Sequence, residues 1–585
     1  MGGAAICLSG FAVSEGVAFG STYLYCPAVP AVGRARFSGD PAPHLAQYEE
    51  SMAAAERQLT AICQKLRERE EAAAKIFEAQ MEILQDEEMD ECVRAAIREE
   101  SLTPAAAVEQ VYEQFAQLLA QAADMLIAAR AADIRDVKLR LLRIICGLAP
   151  ADLSLLPPDT ILVARDLLPS DTALLDPACV AAIVTELGNQ TSHTAILSRS
   201  LGIPAVLAVK GALERIPPHA FAAVDALSGE VYCQPEEPVC QRLREKQRVF
   251  LEKKQRQQSY LSRRAVTTDG VNVEIGVNIG GPRNDFTSCD YCGLFRTEFL
   301  FLDQPAHPDE ETQFAHYRRT LEEAEGKLVT LRTLDIGGDK SVPCLPLPKE
   351  DNPFLGCRAL RLFLERRDLF CTQLRAALRA SAYGRMQIMY PMVGSLADFR
   401  RAKELTRLVM EELEAEGIPY DREIPLGIMI EIPSIALTAD LAAEEVDFAS
   451  VGTNDLCQYL CAADRLNPAV ASYYESFSPA MLRCLRDICG AFDRAGKPIS
   501  ICGELAGEEK AAKLLVGLGF RKLSMNAGQH GAVKAAVCGF SLAEARALAE
   551  RALTCKTQEE VLALLEQDRV QGPQSPSTHE RSCFL

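Results

Sequence analysis

The sequence predicts a multidomain α/β protein, in which an α/β domain carries an inserted helical bundle and is followed by a (β/α)8 barrel of the TIM type. Three observations predict this order. Residues 40–146 contain no glycine, glycine-punctuated apolar runs flank them on both sides, and eight short apolar runs alternate with helical patterns after residue 266. A chain of 585 residues has room for three or four domains of roughly 150 residues each.

The glycine-free stretch predicts a bundle of three or four long helices at 40–146. Leu59, Ile62 and Leu66 recur at the three- and four-residue spacing of a helix with one apolar face. The β-like runs on either side belong together, so residues 1–39 and 147–235 are predicted to form one α/β domain. Residues 242–264 hold nine Lys or Arg and no glycine or proline, which predicts a solvated linker helix at 236–266.

Eight candidate strands follow the linker. They lie at 271–279, 292–295, 328–332, 386–390, 426–430, 446–451, 498–502 and 522–525. This number of strands within a few hundred residues is typical of a (β/α)8 barrel, and we place it at 267–565. The remaining tail, 566–585, is rich in Gln, Ser and Pro and is predicted to be disordered.

Composition limits the partners and the compartment. The formal net charge of -19 at pH 7 argues against nucleic acid as the main partner, and no apolar run reaches the ~18 residues of a membrane span. Residues 1–20 lack Lys and Arg, so no secretory signal is expected and the cytoplasm is the expected address. The Cys289-x-x-Cys292 pair has no second pair at zinc spacing and is predicted to serve packing.

His193 stands at a position suited to carrying a phosphoryl group. It follows a glycine turn at Gly188 and precedes an amphipathic helical pattern, with Thr191 or Ser192 available as the helix cap. The N–H groups and the positive dipole end of such a helix favour an anion. A phosphoryl group on the imidazole would therefore be stabilised there.

Charged side chains follow the candidate barrel strands, and in a (β/α)8 barrel the chemistry lies at those strand ends. Four are arginines: Arg296, Arg332, Arg358 and Arg465. Guanidinium groups bind phosphate and carboxylate oxygens in pairs, so the predicted ligand is a polyanion.

The other strand-end residues add a metal site and a proton donor. Glu431 and Asp455 supply hard oxygen ligands, enough for a Mg²⁺ ion that keeps several waters. Asn454 stands beside Asp455 after the sixth strand. Cys502 ends the seventh strand, where a thiol can deliver a proton to a carbanion or enolate.

Two sets of motifs resemble a known family. Residues 188–196 are similar to the phosphohistidine signature Gly-Gly-x-Thr-Ser-His-x-Ala-Ile of enzymes that exchange phosphate with phosphoenolpyruvate. Residues 294–300, 335–340, 352–356, 451–456 and 502–507 resemble enzyme I of the sugar phosphotransferase system. The resemblance covers residues 5–565.

The resemblance to enzyme I implies roles for individual residues. It implies that Arg296, Arg332, Asn454 and Arg465 hold phosphoenolpyruvate, that Glu431 and Asp455 hold Mg²⁺, and that Cys502 protonates the enolate to pyruvate. It further implies a homodimer through the barrel and docking of the histidine phosphocarrier protein HPr on the helical insert. The implied reaction transfers phosphate from phosphoenolpyruvate through His193 to HPr, the first step of sugar uptake.

Three positions depart from the family pattern, and two other functions stay open. Asn189 replaces the second signature glycine, with some backbone strain expected. Leu168 replaces a Thr and so removes a hydroxyl near the histidine. Gln80 replaces a His of the insert, which leaves the details of carrier docking open. The first two departures motivate a regulatory protein that binds phosphoenolpyruvate with little turnover. An ATP-dependent phosphoenolpyruvate synthase or dikinase is less expected, because no Gly-rich phosphate loop precedes the histidine.

Overall fold

A computed structural model describes residues 6–26, 33, 35–67, 71–120, 125–148, 153, 156–168, 171, 175–189, 192–281, 284–302, 306–337, 344–345, 347–348 and 350–571. The chain divides into two compact units, Met1–Lys253 and Lys254–Leu585. No helix among the described residues is long and apolar enough to span a membrane.

The first unit contains an eight-stranded sheet of order β1-β8-β7-β3-β4-β5-β6-β2. The strands are β1 Ile6–Ser9, β2 Phe11–Ser14, β3 Val17–Tyr25, β4 Thr160–Ala164, β5 Val180–Thr185, β6 Ala205–Leu207, β7 Phe221–Asp225 and β8 Glu230–Cys233. Strands β3 to β6 pair in parallel. Alternate residues of β4 enter two apolar clusters, with Ile161 in one and Leu162 in the other, so its continuous apolar run reflects burial on both faces.

A five-helix bundle is inserted between β3 and β4. The helices are α1 Ala42–Arg67, α2 Glu71–Leu84, α3 Glu87–Glu99, α4 Pro104–Ala120 and α5 Met125–Ile145. The predicted count of three or four helices was too low. The segments between the helices are short and contain no glycine, so the sequence does not mark where one helix ends and the next begins. Asp86 caps α3 by accepting from the N–H of Met89, and Pro104 begins α4, where its missing N–H costs nothing.

Among its described residues, the first unit has three further helices: α6 His193–Leu201, α7 Ala212–Arg215 and α8 Glu237–Tyr260. Helix α8 coincides with most of the predicted linker, and Cys240 and Leu243 are its buried residues. Its other side chains are therefore largely solvated, as the density of Lys and Arg predicts.

The second unit is a closed barrel of eight parallel strands, preceded by the short antiparallel strand β9 Ala265–Val266. The barrel strands are β10 Asn272–Ile279, β11 Tyr291–Phe295, β12 Val329–Arg332, β13 Met386–Tyr390, β14 Leu426–Ile430, β15 Phe448–Val451, β16 Ile499–Ile501 and β17 Lys522–Met525. Strand β10 pairs with both β11 and β17, which closes the ring. The predicted (β/α)8 fold is confirmed.

The barrel helices are α9 Phe299–Leu302, α10 Glu310–Glu323, α11 Leu360–Glu365, α12 Arg367–Ser381, α13 Leu396–Glu416, α14 Pro433–Leu437, α15 Ala439–Glu445, α16 Thr453–Cys461, α17 Pro479–Arg494, α18 Glu509–Gly517, α19 His530–Val537, α20 Leu542–Thr554 and α21 Gln558–Gln571. Helix α21 extends to residue 571 and so includes the first six residues of the tail predicted at 566–585. Residues 572–585 lie outside the described part.

The interior of the barrel near the strand ends is filled by a small separate cluster of Leu294, Met389, Met429, Phe448 and Cys502. Space for the Phe448 ring comes from Gly427 on the neighbouring strand, where a Cβ atom would lie 2.6 Å from Cε1 of that ring. This cluster forms an apolar floor beneath the polar strand ends.

Candidate active site

The carboxyl ends of the barrel strands surround a cavity of about 690 Å³. Residues that follow six of the eight strands line it. All eight barrel residues predicted from the sequence are among them: Arg296, Arg332, Arg358, Glu431, Asn454, Asp455, Arg465 and Cys502. The structure thus brings together side chains that are more than 200 positions apart in the sequence.

A buried ion network forms one wall of the cavity. Arg332 Nη2 lies 2.7 Å from Glu298 Oε1, and Arg332 Nη1 lies 3.0 Å from Asp335 Oδ2. Arg358 Nη2 lies 2.9 Å from Asp335 Oδ1. Burial acts to lower the pKa of Arg332, but Glu298 and Asp335 outweigh it and hold that pKa above its usual value.

The sequence predicted the arginines of this network but not the roles of its carboxylates. Arg332 and Arg358 were expected as ligand-binding cations, but their carboxylate partners were not assigned a role. Glu298 accepts both from Arg332 and from the N–H of Asp335, so it fixes the Arg332 guanidinium at the cavity. Its position two residues after Arg296 was the available signal, although nothing in the spacing shows which arginine it contacts.

Glu431 and Asp455 lie on the opposite strand ends and retain acceptor capacity. Glu431 is fully buried, and its Oε1 accepts from the N–H of Met392 at 2.6 Å. Within the described part of the chain, neither Glu431 Oε2 nor Asp455 Oδ1 has a hydrogen-bond donor, although both atoms are buried. Burial, with Asp455 and Asp335 nearby, raises the pKa of Glu431 to about 8.

These two carboxylates fit a divalent cation. Two buried carboxylate oxygens without donors are unfavourable by themselves, and hard oxygen atoms are the ligands that such a cation prefers. A bound cation would also favour the charged form of both groups. The described residues contain no group of three or more potential metal ligands, so the remaining ligands would come from water or the bound anion.

Arg296 and Arg465 lie at the rim and are more exposed than the buried pair. The side chain of Arg296 packs against Gly280. A Cβ atom added at Gly280 would lie 3.2 Å from the Cβ atom of Arg296. Arg465 Nη2 lies 4.0 Å from Asp455 Oδ1. With two arginines at the rim and two in the wall, the cavity can receive an anion with two charged ends.

Asn454 and Glu504 connect the ends of β15 and β16. The N–H of Glu504 donates to Asn454 Oδ1 at 3.0 Å, and Asn454 Nδ2 donates to Glu504 Oε1 at 3.3 Å. Tyr474 adds a third contact, since its hydroxyl donates to the backbone carbonyl of Asn454 at 3.2 Å. These contacts fix the orientation of the Asn454 amide. The sequence predictions missed Glu504 and Tyr474.

Cys502 lies on the floor of the cavity with 3% of its surface exposed. Its Sγ lies 3.7 Å from the carbonyl oxygen of Val451, and burial raises its pKa to about 11. The neighbouring Gly503 is required, because a Cβ atom there would lie 1.8 Å from Thr453 Oγ1. Cys502 is therefore held as a neutral thiol, the form that can donate a proton.

His193 is the first residue of α6, directly after the cap residue Ser192. The Ser192 hydroxyl accepts from the N–H of Ala195 and donates to the carbonyl of Asn189 at 2.9 Å. Gly188 takes the left-handed conformation, with φ 110°. The side chain of His193 and all of Thr191 lie outside the described residues.

The three departures from the family pattern have different structural outcomes. Asn189 is not among the described residues with positive φ, whereas Gly188 is, so the strain expected at Asn189 is absent. The N–H of Leu168 donates to Asp171 Oδ2 at 3.0 Å. Gln80 is fully buried and donates to Asp136 Oδ2 at 2.8 Å, so it lies inside the bundle rather than on a docking surface.

Comparison with protein families places this arrangement in a known class. Residues 254–541 match the PEP-binding domain of PEP-utilising enzymes, where PEP is phosphoenolpyruvate. Residues 156–229 match the mobile domain of these enzymes and residues 9–130 match their N-terminal domain. The three matches together cover most of the described chain and indicate a PEP-utilising enzyme.

Similar proteins identify one family within the PEP-utilising enzymes. A phosphoenolpyruvate-protein phosphotransferase of Staphylococcus carnosus is 39% identical over 566 residues, which is 96% of this chain and 98% of that protein. The protein of the same name from Staphylococcus epidermidis is 40% identical and the match covers 96% of this chain and 99% of that protein. The one from Priestia megaterium is also 40% identical, and the match covers 84% of this chain and 86% of that protein. The chain belongs to the phosphoenolpyruvate-protein phosphotransferase family.

Proposed function

We propose that this chain transfers the phosphoryl group of phosphoenolpyruvate to His193 and from there to the small histidine phosphocarrier HPr, with release of pyruvate. The observation that carries the proposal is the convergence of four arginines, the carboxylates of Glu431 and Asp455 and one thiol on a single cavity. A family match over 96% of the chain supports the same reaction.

The four arginines account for substrate binding. Phosphoenolpyruvate has a carboxylate at one end and a phosphate at the other, and guanidinium groups bind both in pairs of hydrogen bonds. Arg296 and Arg465 at the rim have room to adjust to the entering anion, whereas Glu298 and Asp335 fix Arg332 in the wall. The Asn454 amide, oriented by Glu504, adds one neutral contact.

Glu431 and Asp455 would hold Mg²⁺, since they offer two buried carboxylate oxygens without donors. When bound, the ion supplies charge neutralisation at the phosphoryl oxygens. The family match supports the use of a metal ion, and the hard oxygen ligands favour Mg²⁺ over softer metals.

The reaction then has two balanced parts. The bond between phosphorus and the enol oxygen of phosphoenolpyruvate breaks while a bond from phosphorus to a ring nitrogen of His193 forms in line. The enolate left behind takes a proton from the Cys502 thiol at its methylene carbon and becomes pyruvate. Positioning and charge neutralisation supply most of the acceleration.

His193 and the cavity belong to different compact units, so the α/β domain must deliver the histidine to the barrel and withdraw it afterwards. We assign the hinge to residues 242–264 of the linker, most of which belong to the solvated helix α8. A covalent cross-link that fixes the two units should block either phosphorylation or delivery. Retention of both activities would refute the hinge.

The remaining assignments follow from the same reaction. The α/β domain, 1–39 and 147–235, carries His193; the bundle at 40–146 docks HPr; and the barrel at 267–565 forms a homodimer. The reaction is the first step of sugar uptake by the phosphotransferase system, for which the cytoplasm is the expected compartment.

Pyruvate release tests the proposed function. Without an acceptor, the protein should release about one pyruvate per His193 and then stop, whereas added HPr should sustain turnover. His193→Ala should abolish both phases, and ATP should not replace phosphoenolpyruvate. Binding of phosphoenolpyruvate without any pyruvate release would favour the regulatory alternative. That alternative was based on Asn189 and Leu168, and the backbone at Asn189 shows no strain that would support it.

A further inference from the structure

Cys457 and Cys461, which the proposed reaction does not use, lie one turn apart on α16. The first turn of this helix contains the cavity residues Asn454 and Asp455. The Sγ atoms of Cys457 and Cys461 are 3.9 Å apart. Cys457 is fully buried, whereas Cys461 is half-buried and is the last residue of the helix. The outer thiol is therefore open to a small reagent and the inner thiol lies in contact with it.

We propose that Cys457 and Cys461 are a reversible oxidation site, which hydrogen peroxide closes into a disulfide, with weaker binding of phosphoenolpyruvate as the result. Peroxide first oxidises the Cys461 thiol to a sulfenic acid and releases one water. The Cys457 sulfur then attacks the sulfenic sulfur, forms the S–S bond and releases a second water. Two electrons pass from the two thiols to one peroxide, and a dithiol reductant reverses the change.

The geometry allows the bond but requires the last helical turn to tighten. Residues four apart on a helix have Cβ atoms about 5–6 Å apart, whereas a disulfide needs about 3.8 Å. Cys461 can move because the helix ends there, and the next residue, Ala462, already takes the left-handed conformation with φ 53°. The adjustment therefore falls on residues 458–465.

That segment positions one of the rim arginines. Gln458 lies between the two cysteines, and its Oε1 accepts from the N–H of Arg465 at 3.2 Å. The carbonyl of Gln458 also accepts from the N–H of Ala463 at 3.1 Å. A tighter turn shifts both acceptors, so the Arg465 side chain moves away from its place beside Asp455.

Among the described residues, three buried thiols of the barrel lack this combination of reach and proximity. Cys502 is 3% exposed, and Cys292 on β11 is fully buried. Cys289 has its Sγ 3.4 Å from the carbonyl oxygen of Phe286. Only an accessible thiol with a second thiol in contact converts peroxide oxidation into a reversible disulfide rather than into higher oxides.

The test compares reduced and peroxide-treated full-length protein by peptide mass mapping and by pyruvate release with HPr at limiting phosphoenolpyruvate. We expect a peptide that links residues 457 and 461 and is two hydrogens lighter than the reduced form. Activity should fall about tenfold and return with dithiothreitol. Cys461→Ser should keep the untreated activity and resist peroxide, while Cys92→Ser, which removes an exposed cysteine of the bundle, should respond like the unaltered chain.

Two results would overturn the inference. One is the absence of the linked peptide in protein that loses activity. The other is equal loss of activity in Cys461→Ser, since that would assign the effect to another thiol such as Cys502. The activity readout rests on the proposed function, but the peptide mapping does not. Protein that is inactive before treatment would refute the reaction, and the presence or absence of the linked peptide would still decide whether the two cysteines form a disulfide.

Discussion

Replacement of Arg332 by methionine tests the buried ion network more severely than any other single change. Methionine keeps most of the length of the side chain and removes the charge. Arg332 contacts Glu298 at 2.7 Å and Asp335 at 3.0 Å, and the side chains of all three are at most 9% exposed. Asp335 keeps its contact with Arg358, whereas Glu298 loses its guanidinium partner.

The expected loss has two parts. Removal of one partner from a buried ion pair costs about 3–5 kcal/mol, because the other charge stays buried without compensation. For a domain of this size, that cost lowers the melting temperature of the barrel by roughly 10 °C. Loss of a positioned cation that contacts the substrate lowers kcat/KM for phosphoenolpyruvate by about 10²–10³-fold.

Differential scanning calorimetry measures the first part and pyruvate release measures the second. Arg375→Met is the matched control, since Arg375 contacts Glu310 at 2.9 Å and Glu416 at 2.7 Å outside the cavity. Its partners are more exposed, so the control should lose about 1 kcal/mol or less and keep its kcat/KM. Equal effects of the two substitutions on both readouts would refute the reasoning.

Three further predictions concern the thiol, the metal site and a buried histidine. Cys502→Ala should lower kcat about 10²–10⁴-fold with little change in phosphoenolpyruvate affinity, measured by pyruvate release and equilibrium binding; near-normal kcat would remove Cys502 from the mechanism. Mg²⁺ added to chelator-treated protein should raise the melting temperature of the barrel by mass action, and Glu431→Gln should lose most of that rise; an undiminished rise would place the ion elsewhere. His530 is buried between Ser288 and the carbonyl of Gly276, and burial lowers its pKa, so the unfolded chain takes up a proton as the pH falls through about 6.5, whereas the folded chain takes it up only at lower pH. The barrel should therefore lose stability between pH 7 and 5, and His530→Gln should lose less; a steeper loss in the variant would contradict this.

The sequence predicted the barrel closely because its strands are buried on both faces. Strands β13, β14 and β17 have the predicted bounds, and the other five differ by at most two residues at either end. Continuous apolar runs bounded by polar residues mark such strands. The helix count in the bundle was less predictable, since the boundary before α3 depends on a single capping side chain, Asp86.

The cavity was predictable in composition but not in its internal contacts. A barrel brings every strand end to one mouth, so charged residues after several strands were expected to meet. Which guanidinium pairs with which carboxylate depends on side-chain directions across neighbouring strands. The sequence therefore indicated Arg332 and Arg358 as ligands but not the bridging role of Asp335, which contacts both.

The location of some residues, inside the protein or near one another, could not be predicted from the sequence. Gln80 was considered for its effect on carrier docking, but it lies inside the bundle with its amide bonded to Asp136. Conversely, Cys457 and Cys461 are two of 21 dispersed cysteines in the sequence. Their proximity follows from the four-residue spacing once α16 is known to run through Cys461.

The most direct test of the proposed phosphoryl transfer is the labelling of the protein by ³²P-phosphoenolpyruvate in the presence of Mg²⁺. We expect acid-labile label on His193, lost with a chelator or in His193→Ala, absent with labelled ATP, and discharged when HPr is added. Label that persists in His193→Ala, or protein that binds phosphoenolpyruvate and takes up no label, would contradict a transfer through His193.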